Sequence, residues 1–277
     1  ARPQGLLVSR WAAEGELIKA LKVDHPRQVK ADILNLLSFV GGDGAATAIA
    51  PLLKDPELAE DARLALQRIP DSAAGHALIA GLDNAAPEIL PRIIDSLGQR
   101  EDARAVGALA KYAESPDLTV SAAALNALAR IGQPVGKLFD PATIVKTAPA
   151  EMERFADAYL RFADRQEARN KTDQALAIYK AVLIQSQAEH HKCAAIFGIG
   201  RTGGTSELLT LFSAASNLSP TLRAAGKETL INLKDKPGNL FVRQLNIDER
   251  LLRMYEQAEP FKKAVLLEVI SARKSPD

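Results

Sequence analysis

Ala127-Leu128-Ala129-Arg130-Ile131-Gly132 is the stretch on which the fold turns. Its two aliphatic residues stand three apart, the spacing of a buried stripe in the last turn of a helix. The glycine that follows suits the left-handed conformation that ends a helix. The same phrase recurs as Leu37/Val40/Gly41, Leu66/Ile69/Pro70 and Ile94/Leu97/Gly98. It returns as Ile196/Ile199/Gly200, Leu230/Leu233/Lys234 and Leu267/Ile270/Ser271. Steps between the second aliphatics are 29, 28, 34, 68, 34 and 37 residues, and 68 is twice 34. A fixed period of this size marks a repeat architecture.

Working outward, a new aliphatic begins a helix nine residues after four of the seven endings, at Ile49, Leu78, Val106 and Leu208. Turn signals separate the two helices of a pair, as at Lys54-Asp55-Pro56 and Ser115-Pro116-Asp117. There Pro starts a helix and Asp caps it. Each unit is a helix, a turn, a second helix and a tight link. Composition agrees: the chain of 277 residues holds 48 Ala and 37 Leu against 5% aromatics. Ala and Leu are strong helix formers, and small Ala side chains let helices approach closely. Val, Ile and aromatic residues never gather into the alternating runs of a sheet. The expected fold is all-α, an α-solenoid of antiparallel helix pairs. Leu66, Ile69, Ile94, Leu97, Leu128, Ile131, Ile196 and Ile199 are expected to be buried between neighbouring repeats.

Leu53-Lys54-Asp55-Pro56, followed by Ala65-Leu66-Gln67-Arg68-Ile69, resembles a bacterial HEAT repeat of the phycobiliprotein-lyase type, and Ala127–Gly132 resembles it closely. The likeness covers roughly residues 15–133 and 188–277. It implies a HEAT/armadillo-like fold and says little of function, because the shared residues are packing residues. The Asp and Arg ladder usual at the start of the second helix is largely missing. Between Gly132 and Gln187 the beat is lost. Pro134, Pro141 and Pro149 interrupt the region, and a long helix is expected from about Glu151 to Arg169. Asp173 to Leu183 resembles the second helix of a tetratricopeptide repeat. The expected organisation is one solenoid: HEAT-like repeats over 1–133, an irregular linker and tetratricopeptide-like pair over 134–187, and HEAT-like repeats over 188–277.

Charge narrows the function classes. With 35 basic and 34 acidic residues the formal charge is +1. No window shows the segregated basic face of a nucleic-acid binder. No run approaches the roughly 20 apolar residues of a spanning helix, so no membrane insertion is expected. A single cysteine, Cys193, allows no internal disulfide and leaves the compartment open.

Several catalytic or cofactor motifs fail on inspection. Gly198-Ile199-Gly200-Arg201-Thr202-Gly203 has the spacing of a dinucleotide fingerprint. That chemistry needs a preceding strand, a following helix and an acid about 20 residues on. Here the glycines are expected to end a helix, with Gly200 at its C-terminus, and Arg223 stands where the acid belongs. His190, His191 and Cys193 lack the second ligand pair of a structural zinc site. Iron-dependent HEAT-type hydroxylases carry repeated His-Glu dipeptides, yet none of His25, His76, His190 and His191 precedes Glu. HEAT-like DNA glycosylases rely on aromatic stacking, and there is one Trp. No Gly-x-Ser-x-Gly elbow occurs. Cys193 reads as a small buried hydrophobe and Trp11 as a cover over the start of the core. No catalytic, cofactor or metal-binding residue is assigned.

What remains is surface. In HEAT-like arrays the second helices line the concave side, so Gln67, Arg68, Arg92, Asn126, Arg130 and Arg201 are the candidates for a partner-binding groove. Arg is favoured in interfaces and in carboxylate recognition. The expected role is a non-catalytic scaffold that holds a protein or a neighbouring domain of the same chain. The alternatives are an auxiliary lyase or chaperone-type component and, less favoured, a nucleic-acid-binding solenoid. The final helix is rich in aliphatics, with Val265, Leu266, Leu267, Val269 and Ile270. This surplus, and an ending that reads like a link to a further repeat, suggest a piece of a longer chain.

Overall fold

The computed structural model describes residues 4–234 and 246–274. It is all-α: every regular element among the described residues is a helix or a helical turn. The chain divides into two compact units, Ala1–Val135 and Gly136–Asp277.

The first unit holds α1 (Gln4–Leu21), α2 (Arg27–Val40), α3 (Asp43–Ile49), α4 (Ala59–Arg68), α5 (Ser72–Gly81), α6 (Leu90–Gln99), α7 (Val106–Ala113) and α8 (Leu118–Ile131). The second helices form one layer, in which α2 packs on α4, α4 on α6 and α6 on α8. The first helices α1, α3 and α5 pack in sequence behind them. This is the two-layer stacking of a solenoid, where each pair buries its apolar stripe against its neighbours. Aspartates set the helix starts. Asp117 accepts from the backbone N–H of Thr119 and Val120, and Asp55 from Glu57 and Leu58. A capping side chain satisfies donors that have no partner within the helix.

The second unit holds α9 (Pro141–Ile144), α10 (Pro149–Ala168), α11 (Thr172–Gln185), α12 (Glu189–Gly203), α13 (Leu208–Ala215), α14 (Pro220–Asn232), α15 (Ile247–Gln257) and α16 (Pro260–Lys274). Helices α10, α12, α14 and α16 pack one on the next, while α11 lies against both α10 and α12. The lost beat has a physical explanation here. Positions 34 residues beyond Leu128 and Ile131 are Phe162 and Arg165, and 34 further are Ile196 and Ile199. Phe162 is fully buried and stacks on Phe139 at 4.0 Å, with Tyr159 edge-on to Phe139 at 6.1 Å. Aromatic packing takes the place of the aliphatic pair, so the register runs on with the phrase hidden.

All eight aliphatics expected between repeats are buried; the least buried, Ile131, keeps 4% of its surface. The last helix differs in detail. Leu266 and Val269 carry its stripe at 0% exposure, Val265 and Ile270 are buried beside them, and Leu267 alone of the five is exposed, at 52%. Helix α16 packs on both α14 and α15, which accounts for the coverage. Trp11 is 70% exposed and does not cover the core.

Glycine does two different jobs in the repeated phrase. Gly132 ends α8 with φ of 72°, the left-handed conformation that a Cβ disfavours. Gly200 does not end its helix, which continues to Gly203. A Cβ on Gly200 would lie 2.1 Å from Cγ2 of Thr229 on α14, so the residue sits where two helices touch.

Candidate protein-binding face

Helices α4, α6 and α8 carry five of the six groove candidates. Their side chains are mostly committed to rungs between neighbouring helices. Arg63, buried on α4, forks onto Glu60 at 2.7 and 3.0 Å and donates to Gln67 Oε1 at 2.9 Å. Ser96 of α6 lies 3.0 Å from the same Gln67 oxygen. Arg92 of α6 reaches Glu60 at 3.4 Å. The hydrogen bonds from Arg63, aided by the charge of Arg92, hold the Glu60 carboxyl below the usual carboxylate range. Arg130 of α8 donates to Gln99 Oε1 of α6 at 3.2 Å. Asn126 bonds back to the Ala122 carbonyl of its own helix, so it makes no rung.

Arg68 makes a rung to α2 and also meets an aromatic ring. Its Nη1 donates to Asn35 Oδ1 on α2 at 3.2 Å, and its guanidinium lies 5.8 Å from the centre of the Phe39 ring. Both partners are neutral. Beside this pair a groove of about 260 Å³ runs between α2 and α4, lined by Gln28, Asp32 and Asn35 among others, with Arg27 paired to Asp61 across it at 2.8 Å. Phe39 is 66% exposed, and Leu36 and Val29 on the same helix are exposed too. Sequence reasoning passed over these three. Their signal was a second apolar series on α2, offset from the buried stripe of Ile33, Leu34 and Leu37.

Arg201 belongs to the second unit. It pairs with Asp164 at 2.8 Å and Glu167 at 3.0 Å, and donates to the Tyr179 hydroxyl at 3.1 Å. The hydrogen bonds to Glu167 bind its proton more firmly. Burial, then the hydrogen bond to Asp164, push the Tyr179 phenol far up. A Cβ on Gly198 would strike the Tyr179 ring at 2.5 Å. Gly198 and Gly200 of the dinucleotide-like motif therefore let side chains of α11 and α14 pack against α12.

His191 is buried, with Nδ1 3.2 Å from Ser186 Oγ and Nε2 3.4 Å from Asp157 Oδ1. Glu153 accepts from the backbone of Gln187 and Ala188 at the start of α12, which lowers its carboxyl. Cys193 is half-buried, contrary to the fully buried position expected, because it lies at the edge between α12 and Thr221. Burial, then the charge of Glu189, push its thiol up. Among the described residues no group of three or more His, Cys, Asp and Glu side chains is placed to hold a metal ion.

Residues 75–138, which span most of α5 and all of α6, α7 and α8, match HEAT repeats. The stacked helix pairs of each unit are those of an α-solenoid. No match was found among curated proteins. Among solved structures, human deoxyhypusine hydroxylase in complex with glycerol aligns with 98% of this chain and 99% of its own, at 15% identity and a TM-score of 0.42. A likeness of that size bears on neither activity nor ligand. Among the described residues, no helix is long and apolar enough to cross a membrane.

Proposed function

We propose that the chain is a non-catalytic protein-interaction or scaffolding module that docks a protein partner, or a neighbouring domain of the same chain, on the open face of α2 and α4. The observation that carries this is the Arg68–Phe39 stack at 5.8 Å beside an open groove. Aromatic residues and Arg are enriched in interface cores and supply most hot spots. A guanidinium over the exposed ring favours one arrangement of Phe39, which lowers the side-chain entropy lost when a partner covers it. The pairwise use of Glu60, Arg63, Arg92 and Gln67 supports a structural role for the rest of the face. Neither nucleic acid nor membrane insertion belongs to this reading, given a formal charge of +1 spread over the chain. The finer likeness to bacterial lyase-type repeats would make the chain an auxiliary component acting on a modified partner, which calls for convergent, uncommitted polar groups on this face.

The test is site-specific photo-crosslinking of the full chain in its native extract, with the photoreactive residue at position 39 and, as control, at the exposed Lys111 of α7. One defined partner should crosslink from position 39, be absent from 111, and disappear with Arg68→Glu. Equal products from both positions would refute docking at this face.

A further inference from the structure

A cleft of about 310 Å³ opens in the second unit where the pairs α11/α12 and α13/α14 meet. That size lies at the lower end of the range of about 300–1,000 Å³ for small-molecule sites. Ile196 of α12 and Leu222 of α14 contribute apolar wall, and Lys192, Thr210, Ser213 and Asn217 contribute polar groups. Ile184 and Leu218, which adjoin the lining residues Leu183 and Asn217 in sequence, are 71% and 90% exposed.

The charges around the cleft are unevenly committed. Glu207, buried nearby, accepts from Lys180 Nζ at 2.6 Å and from Thr210 Oγ1 at 3.1 Å. Glu189, one turn before Lys192 on α12, is engaged by the hydroxyls of Ser219 and Thr221. Lys192 is the sole charged residue lining the cleft; its ammonium makes no close hydrogen bond or ion pair among the described residues, and the carboxylate whose charge it meets is Glu189, one turn before it. The Ser213 hydroxyl and the Asn217 side-chain N–H groups likewise donate to nothing there, while Asn217 Oδ1 accepts from the Ser219 backbone. A half-buried cation beside an apolar wall, with two solvent-exposed donors in the same lining, is an arrangement to which an anion can bind by charge-assisted hydrogen bonds.

We propose that this cleft binds a carboxylate bearing a short aliphatic tail, with Lys192 pairing to the carboxylate, Ser213 and Asn217 donating to it, and the tail lying on Ile196 and Leu222. The same chemistry is offered by a free branched-chain acid and by the C-terminal aliphatic residue of a peptide. The site lies in the second unit and is independent of the face carrying Phe39.

The experiment follows backbone amide shifts of the full chain on addition of isocaproate, isocaproamide, and a Gly-Gly-Leu peptide with a free or an amidated C-terminus. Both carboxylates should give saturable shifts at Ile196, Thr210 and Asn217, and both amides should not. With one partly exposed ion pair, Kd should be on the order of 1 mM. Lys192→Met should weaken binding by about tenfold or more, the worth of a charge-assisted hydrogen bond, while Lys192→Arg should retain it. Ser213→Ala, at an exposed position, should weaken it several-fold and serves if Lys192→Met does not fold. A peptide acid binding tighter than isocaproate would point to a chain terminus as the natural ligand, and the reverse to a free acid. Equal binding of acids and amides, binding unaltered by both Lys192→Met and Ser213→Ala, or no saturable shift with either carboxylate would overturn the proposal.

Discussion

Arg100, at the end of α6, donates from Nη1 to the carbonyl oxygen of Leu66 on α4 at 2.9 Å, 34 residues back along the chain. The same guanidinium reaches the carbonyls of Gln67, Ile69 and Asp71. The last carbonyls of a helix lack partners within it, so a cation from the next repeat closes α4. Arg273 of α16 does the same for α14, its Nη1 reaching the carbonyls of Leu230, Ile231 and Leu233 at 2.8 to 2.9 Å. Replacing Arg100 with Met should cost about 2–3 kcal/mol by urea unfolding, since partly buried acceptors lose a charged donor. Arg100→Lys should recover only part, because an ammonium cannot present the same fork. A Met variant as stable as the parent would show that water serves these carbonyls equally well.

Core register gives a second expectation. Leu128 is fully buried and Leu267 is 52% exposed, although both occupy the first aliphatic of the repeated phrase. Leu128→Ala should lose about 2–5 kcal/mol, the range for a deletion in a packed core. Leu267→Ala should stay within about 0.5 kcal/mol, as exposed substitutions do. Paired thermal melts decide, and similar losses for the two would contradict the burial described.

Opposed effects meet at Gly200. Alanine gains about 1 kcal/mol over glycine inside a helix, but its Cβ would lie 2.1 Å from Thr229 Cγ2, against α14. Overpacking of this kind costs about 1–3 kcal/mol, so Gly200→Ala should be neutral to destabilising. Adding Thr229→Ser, which removes Cγ2, should turn the change favourable. At Gly107 of α7 a Cβ meets nothing within 4 Å, and Gly107→Ala should stabilise by about 0.5 kcal/mol. Chemical denaturation of the four proteins checks the order; stabilisation by Gly200→Ala alone would mean that the helices separate freely.

Acid should act through Glu60. Hydrogen bonds from Arg63 hold its carboxyl below the ordinary value, so the folded state binds this proton more weakly than the unfolded chain. The stabilisation is present above the unfolded-state value and is lost as pH falls through the folded-state one. Glu60→Gln should therefore be less stable than the parent at neutral pH, and the difference should shrink as pH falls below the ordinary glutamate range. Unfolding midpoints of both proteins across pH provide the check, and a gap that widened in acid would reverse the assignment.

The repeat was legible because its mark is local. An aliphatic pair three residues apart defines a stripe within one helix, whatever lies opposite, and Leu66, Ile94 and Ile196 are buried as that stripe requires. The central repeat escaped notice because Phe162 and Arg165 occupy the aliphatic positions, and only the stacking of Phe162 on Phe139 reveals the continued register.

By itself, then, the sequence determined the helical class, the period and the buried face, all consequences of periodicity along one chain segment. Tertiary structure decided which glycine caps a helix and which admits a neighbour, as Gly132 and Gly200 show. It also decided which polar groups are committed. Arg92 is drawn to Glu60, Arg68 rests on Phe39, and Lys192 keeps no close partner because Glu207 is taken by Lys180 and Glu189 is hydrogen-bonded by Ser219 and Thr221, leaving only its charge to act on Lys192. Those outcomes depend on groups that packing brings together from other helices. A charge's availability is a property of its neighbours in space, which spacing along the chain does not encode.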